Sequence, residues 1–199
     1  MAKRFERQLV LQWDDKATDS TLIDPNWDAI IECVDFIRAG EVPIKAAAAA
    51  IRKRYHNENP HVAHHALLVL EACMKNCGVK FHAEIATRDF MEDLKNLSLD
   101  TTPDKVGISS STACAVIFRL IEKYVKNKIL ELLQCWALAF KNKPEYKIVV
   151  DTHNLMKLAG FDFPHVAEAD AMFIAESAPE WADGEECFRQ EILCGSIFF

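Results

Sequence analysis

Three sets of residues in this chain have the types and spacing that invite a chemical reading, and the first is a cysteine. Cys187 follows the acidic run "EWADGEE", which is how many zinc modules begin. A structural zinc site needs four ligands in a tetrahedron, usually supplied as two C-x-x-C pairs. Position 190, where the second thiolate would stand, is Gln190; Cys194 lies seven residues on, and "EILCGSIFF" supplies no further ligand. One or two thiolates cannot enclose the ion, so no metal is expected there.

Cys73 and Cys77 share a helical face, but three residues separate them on an apolar helix, so core packing outweighs ligation. His61 and His65 share a face without a carboxylate or cysteine to complete a set, while the adjacent His64 and His65 point different ways. These read as surface or internally satisfied histidines. There is no G-x-S-x-G elbow, no phosphate-cradling glycine loop and no H-E-x-x-H helix. No catalytic residue and no cofactor are expected, and the chain reads as a non-enzyme.

The third set is "IRKRYH" (Ile51–His56), a compact basic patch whose Arg52, Lys53 and Arg54 could meet a lipid headgroup or phosphate. The plainer account is a solvated helix end, where cations also oppose the helix dipole. A net charge of −7 weighs against broad nucleic-acid binding, which relies on clustered cations to displace counterions, and against simple adsorption to anionic lipid.

Helices must position these groups. Ala, Leu, Lys and Glu are abundant, glycine and proline are few, and no sustained alternating run bounded by hairpin turns occurs. "DPNWDAIIECVDFIRAG" carries Asp24 or Asn26 as a cap, a stripe of Trp27, Ile30, Ile31, Val34 and Ile37, and Gly40 as the left-handed end. "VPIKAAAAAIRKRYHN" has Pro43 in its first turn and five consecutive alanines that allow close helix approach. The third helix runs from Pro60 to Cys77, with Val62, Leu67, Leu70, Cys73, Met74 and Cys77 as its buried side and Gly78 closing it. "FHAEIATRDFMEDLKNLSL" holds one or two shorter helices, "KNKILELLQCWALAF" a central one, and "PEYKIVVDTHNLMKLAG" closes the series at Gly160. The fold expected is an all-α superhelix over residues 1–163. An acidic, proline-containing extension over 164–199 follows, with a short helix around Glu168–Glu176. Cys33, Cys73, Cys77 and Cys135 read as small, reduced core residues. The N-terminus lacks a secretory signal, and the longest apolar stretches fall far short of the ~18 residues that span a bilayer. A cytoplasmic protein is expected.

"DKAT" (Asp15–Thr18), "NW" before an Ile-rich helix, "NPHVAHHALLVLEACMKNCG", "FHAEI" and "LLQCWALAF" together resemble a VHS domain. The similarity runs from about Phe5 to Arg189. "ADAMFIAESAPEWADGEEC" resembles the bridge from a VHS domain into a FYVE zinc finger, so Cys187 looks like the remnant of that finger's first ligand. The resemblance implies a right-handed superhelix of about eight helices, similar to VHS and ENTH domains. It implies an adaptor that collects ubiquitinated membrane cargo for the ESCRT machinery, peripheral on early endosomes. Ubiquitin would be met at Trp27 and Ile31. In longer relatives a STAM-like partner and a phosphoinositide membrane join the assembly. The alternatives are a phosphoinositide-binding helical module resting on Arg52, Lys53 and Arg54, or a chain without function of its own.

Two segments depart from the family pattern. "VLQWD" (Val10–Asp14) separates "FERQL" from "DKAT", and Gly107–Val125 separates "TTPDKV" from "KNKILELL". With the tail after Arg189 these make three abrupt joins, as retained or mis-joined coding segments would; transcript reads across them would decide. Five extra residues rotate the rest of a helix by a net ~140°, so the first insertion should break its helix. The second carries "SSST" as loop and cap and then Val116, Leu120 and Tyr124 at helical spacing. It could lengthen the central helix without shifting "KNKILELL", or remain a loop.

Overall fold

Trp27–Arg38 forms α1 because Asn26 caps it, its side-chain oxygen accepting from the Ala29 amide at 3.2 Å. The computed structural model describes residues 16–100 and 113–166, with side chains for 16–99 and 123–166. Gly40 (φ 75°) ends α1, and the Glu41 amide returns to the Phe36 carbonyl at 3.1 Å. α2 (Ile44–Tyr55) starts after an extended Pro43, and its Ala47 and Ala48 are buried, so its backbone lies close against α3 (Pro60–Asn76). α3 is buried almost all round, from Val62 to Asn76. It packs on α1, α2 and α6, which makes it the axis of the domain. Gly78 (φ 71°) turns the chain directly into α4 (Gly78–Ile85), and α5 (Arg88–Asp100) follows after two residues.

α6 (Ala113–Ala139) is the longest helix, and Ile129, Leu133 and Trp136 on it are wholly buried. The 113–125 segment is continuous with this helix, so that part of the expected insertion lengthens the central element. Tyr124, placed in sequence on an apolar face, is instead 67 % exposed, and Val125 beside it is buried. A short 3-10 turn (Pro144–Tyr146) leads into α7 (Lys147–Leu158), and Gly160 (φ 88°) closes it.

The result is the all-α superhelix expected, with seven α-helices from Trp27 onward among the described residues and Lys16 and Ala17 helical before them. Val10–Asp14 and residues 167–199, including Cys187 and the short helix expected near Glu168, lie outside the described residues. Ala17 is wholly buried and Lys16 exposed. After α7 the chain still packs inward, with Phe161, Phe163 and Val166 against the core.

Some buried polar groups tie elements of this core together, while His65 Nδ1, His82 Nδ1 and Trp136 Nε1 are buried without a hydrogen-bond partner among the described residues. His82 Nε2 donates to the Met74 carbonyl at 2.7 Å, tying α4 to the end of α3, and burial lowers its pKa so that it remains neutral. His153 Nε2 lies 2.7 Å from Gln134 Oε1, which joins α7 to α6, and its ring packs against Phe163 in a tilted arrangement with centroids 4.4 Å apart.

Candidate functional site

The capping of α1 by Asn26 decides which of its residues face out. Ile30, Cys33, Val34 and Ile37 go into the core, so the apolar stripe read from the sequence divides. Ile31 departs from it and is half-buried, and Trp27 is half-buried with part of its side chain packed on the core. The two sit one turn apart on α1. An aromatic and a branched aliphatic side chain, neither fully enclosed, thus leave apolar surface open on α1. Ile23, in the loop that enters α1, adds a further apolar side chain at 89 % exposure. No periodicity marks a loop residue, so sequence reasoning passed over it.

Ile31 also opens onto a groove of about 510 Å³ along the outer side of α1. Its apolar surface comes from Ile31, Phe36 and Ala39, and its carboxylates from Asp28, Glu32, Asp35 and Glu41. Trp27 is not among the lining residues. Lys16 reaches Glu32 at 3.7 Å across exposed surface, a contact of small energetic weight. Sequence reasoning passed over the carboxylates at 28, 32 and 35, whose helical spacing was the signal that could have found them; nothing in the spacing marks Glu41.

The basic patch on α2 is divided. Arg52 Nε donates to Asp93 Oδ2 at 3.0 Å, and the same oxygen accepts from the Tyr55 hydroxyl at 2.7 Å and lies 2.9 Å from His56 Nε2. Burial would raise the Asp93 pKa, but the three hydrogen bonds outweigh it and hold the carboxyl below its ordinary value. Arg52 is thus committed to a link between α2 and α5, Lys53 is exposed, and Arg54 is half-buried. The three do not form one free cationic surface.

Cys33, Cys73 and Cys135 are buried thiols outside any disulfide. Cys77, expected in the core, caps α3 and is half-buried, because the chain turns at Gly78. A hydrogen bond with Cys77, together with burial, pushes the Cys73 thiol well above its usual value, which keeps it protonated and a poor ligand or nucleophile. Among the described residues no group of three His, Cys, Asp or Glu side chains could hold a metal ion, and no helix is long and apolar enough to cross a membrane.

The sequence model of the VHS domain matches residues 4–160. The chain is 37% identical over 175 residues to "Hepatocyte growth factor-regulated tyrosine kinase substrate" of Drosophila melanogaster, covering 88% of this chain and 20% of that protein. It is 33% identical over 176 residues to "Vacuolar protein sorting-associated protein 27" of Neurospora crassa, covering 88% of this chain and 22% of the relative. With human "TOM1-like protein 2" the identity is 34% over 161 residues, 79% of this chain and 28% of the other. The chain therefore spans about a fifth to a quarter of the length of these relatives. Among solved structures, the VHS and FYVE tandem domains of Hrs, described as a protein involved in membrane trafficking and signal transduction, superpose with a TM-score of 0.69 at 34% identity. That match covers 90% of this chain and 73% of the other.

Proposed function

Because this chain belongs to the VHS domain family, we propose that it is a non-catalytic adaptor of membrane trafficking. In this proposal it binds ubiquitin through Trp27 and Ile31 and so helps to sort ubiquitinated membrane cargo at early endosomes. The relatives include a vacuolar protein sorting-associated protein and a protein involved in membrane trafficking, which supports the adaptor role. The observation that carries the ubiquitin assignment is the position of Trp27 and Ile31. They stand one turn apart and half-buried on α1, while Ile30 and Val34 beside them fill the core. Ubiquitin's recognition face is largely aliphatic, and a partly open aromatic–aliphatic pair suits it.

A lipid-binding role for Arg52, Lys53 and Arg54 has less support, since Arg52 is engaged by Asp93. Titrating the ¹⁵N-labelled chain with ubiquitin, and separately with liposomes containing phosphatidylinositol 3-phosphate, tests both. Saturable amide shifts at Trp27 and Ile31 with ubiquitin are expected. Shifts confined to α2 with the liposomes, and none with ubiquitin, would replace this function with the lipid one.

A further inference from the structure

The outer groove of α1 has a shape and charge that the ubiquitin assignment does not use. Its carboxylates at Asp28, Glu32 and Asp35 follow one another along the helix, and Glu41 closes the row from the turn held by the Gly40 left-handed backbone and the Glu41–Phe36 hydrogen bond. Between them lie the half-buried Ile31 and Phe36. From position 28 to 39 the helix rises ~17 Å, which an extended strand of about five residues spans. Asp28 and Glu32 are ~6 Å apart along the axis, close to the ~7 Å between alternate residues of a strand.

We propose that this groove binds an extended peptide with lysine or arginine at alternate positions, all on the face turned to the groove. The cations would meet Asp28, Glu32, Asp35 and Glu41, and their methylene stems would rest on Ile31 and Phe36. Cytoplasmic segments flanking membrane spans are enriched in lysine and arginine, so the occupant is the basic juxtamembrane stretch of a membrane protein. Only that choice of source rests on the trafficking role proposed above. Ile31 lies at the junction, so a cargo protein could engage the groove and Trp27 side by side.

The test uses the full chain, ¹⁵N-labelled, and a synthetic hexapeptide, Lys-Leu-Lys-Val-Lys-Gly, with its Glu-for-Lys counterpart as control. Expected are saturable shifts at Ile31, Phe36, Ala39 and Glu41 with the lysine peptide alone, and at least fivefold weaker binding on raising salt from ~50 to ~300 mM. The Asp35→Lys, Glu41→Lys double variant should lose the peptide, as should the milder Asp35→Asn, Glu41→Gln pair if the reversal disturbs folding. Equal binding of the glutamate peptide, shifts away from α1, or affinity indifferent to both double variants would overturn the proposal. A ubiquitin titration of the same variants separates the two ideas. Peptide binding without ubiquitin binding leaves the groove standing and removes the ubiquitin assignment; the opposite result does the reverse. Ubiquitin that shifts Phe36, Ala39 and Glu41 and is not displaced by the lysine peptide would make the groove ubiquitin's own and overturn the peptide site.

Discussion

Glu71 Oε2 lies 2.8 Å from Lys128 Nζ, an ion pair between α3 and α6 at the centre of the superhelix. Lys75 and Glu131 extend it, at 2.9 Å to Glu71 and 3.1 Å to Lys128. Both charges of the central pair are largely covered, at 19 % and 12 % side-chain exposure. Burial alone would raise the Glu71 pKa and lower that of Lys128, yet each is shifted the other way because its partners outweigh the burial.

Removing one partner should therefore cost more than removing both. Glu71→Gln is expected to lose ~3 kcal/mol by leaving Lys128 uncompensated, whereas a Glu71→Gln, Lys128→Met double variant should recover much of that loss. Urea unfolding of the parent, both single variants and the double variant measures the coupling directly. Additive losses would mean that the pair contributes little.

A second link closes α2 against α5. Asp93 Oδ2 takes three contacts from Arg52, Tyr55 and His56, and Asp93→Asn should cost ~1–2 kcal/mol at pH 7, discounted because Arg52 is 41 % exposed. The Asp93 pKa is depressed in the folded state, so its stabilisation is present above the unfolded value near ~3.9 and fades as the pH falls below it. Parent and variant should differ at pH 7 and converge toward pH 3. A gap unchanged with pH would assign the loss to shape and not to charge.

His64 gives the opposite group the same sign of dependence. Burial, followed by His65 and Lys128, lowers its pKa to about 4, and its ring stands edge-on to Tyr124 at 6.0 Å. Between about pH 4 and ~6.5 the unfolded chain binds a proton that the folded one refuses, so stability should rise with pH by up to ~1.4 kcal/mol per unit. His64→Gln should flatten that slope between pH 4.5 and 6.5. An imidazole midpoint near 6.5 by NMR would contradict the burial of His64.

The fold was legible in the sequence wherever local rules governed it. Gly40 and Gly160 end helices in the left-handed conformation that their positions announced, and Ala47 and Ala48 of the alanine run in α2 are buried. Legibility failed where distant segments met. Asp93 and Arg52 are 41 residues apart, and nothing in either neighbourhood marks the other. The α1 stripe was read one residue too wide, since helical spacing gives the arc of a face but not how much of it a neighbour covers. Ile31 therefore lies at the edge of the groove and outside the core. Cys77 was counted as interior because the Gly78 turn, which lifts it out, was expected to close α3 without at once opening α4.

The central claim is that Trp27 and Ile31 on α1 form a binding surface for ubiquitin, and one measurement meets it most directly: ubiquitin affinity and thermal unfolding of the parent and of a Trp27→Ala, Ile31→Ala double variant. Both side chains are half-buried, so the variant should remain folded, with a melting temperature a few degrees lower, and should lose at least tenfold in affinity. A folded double variant that binds ubiquitin as the parent does would contradict the account.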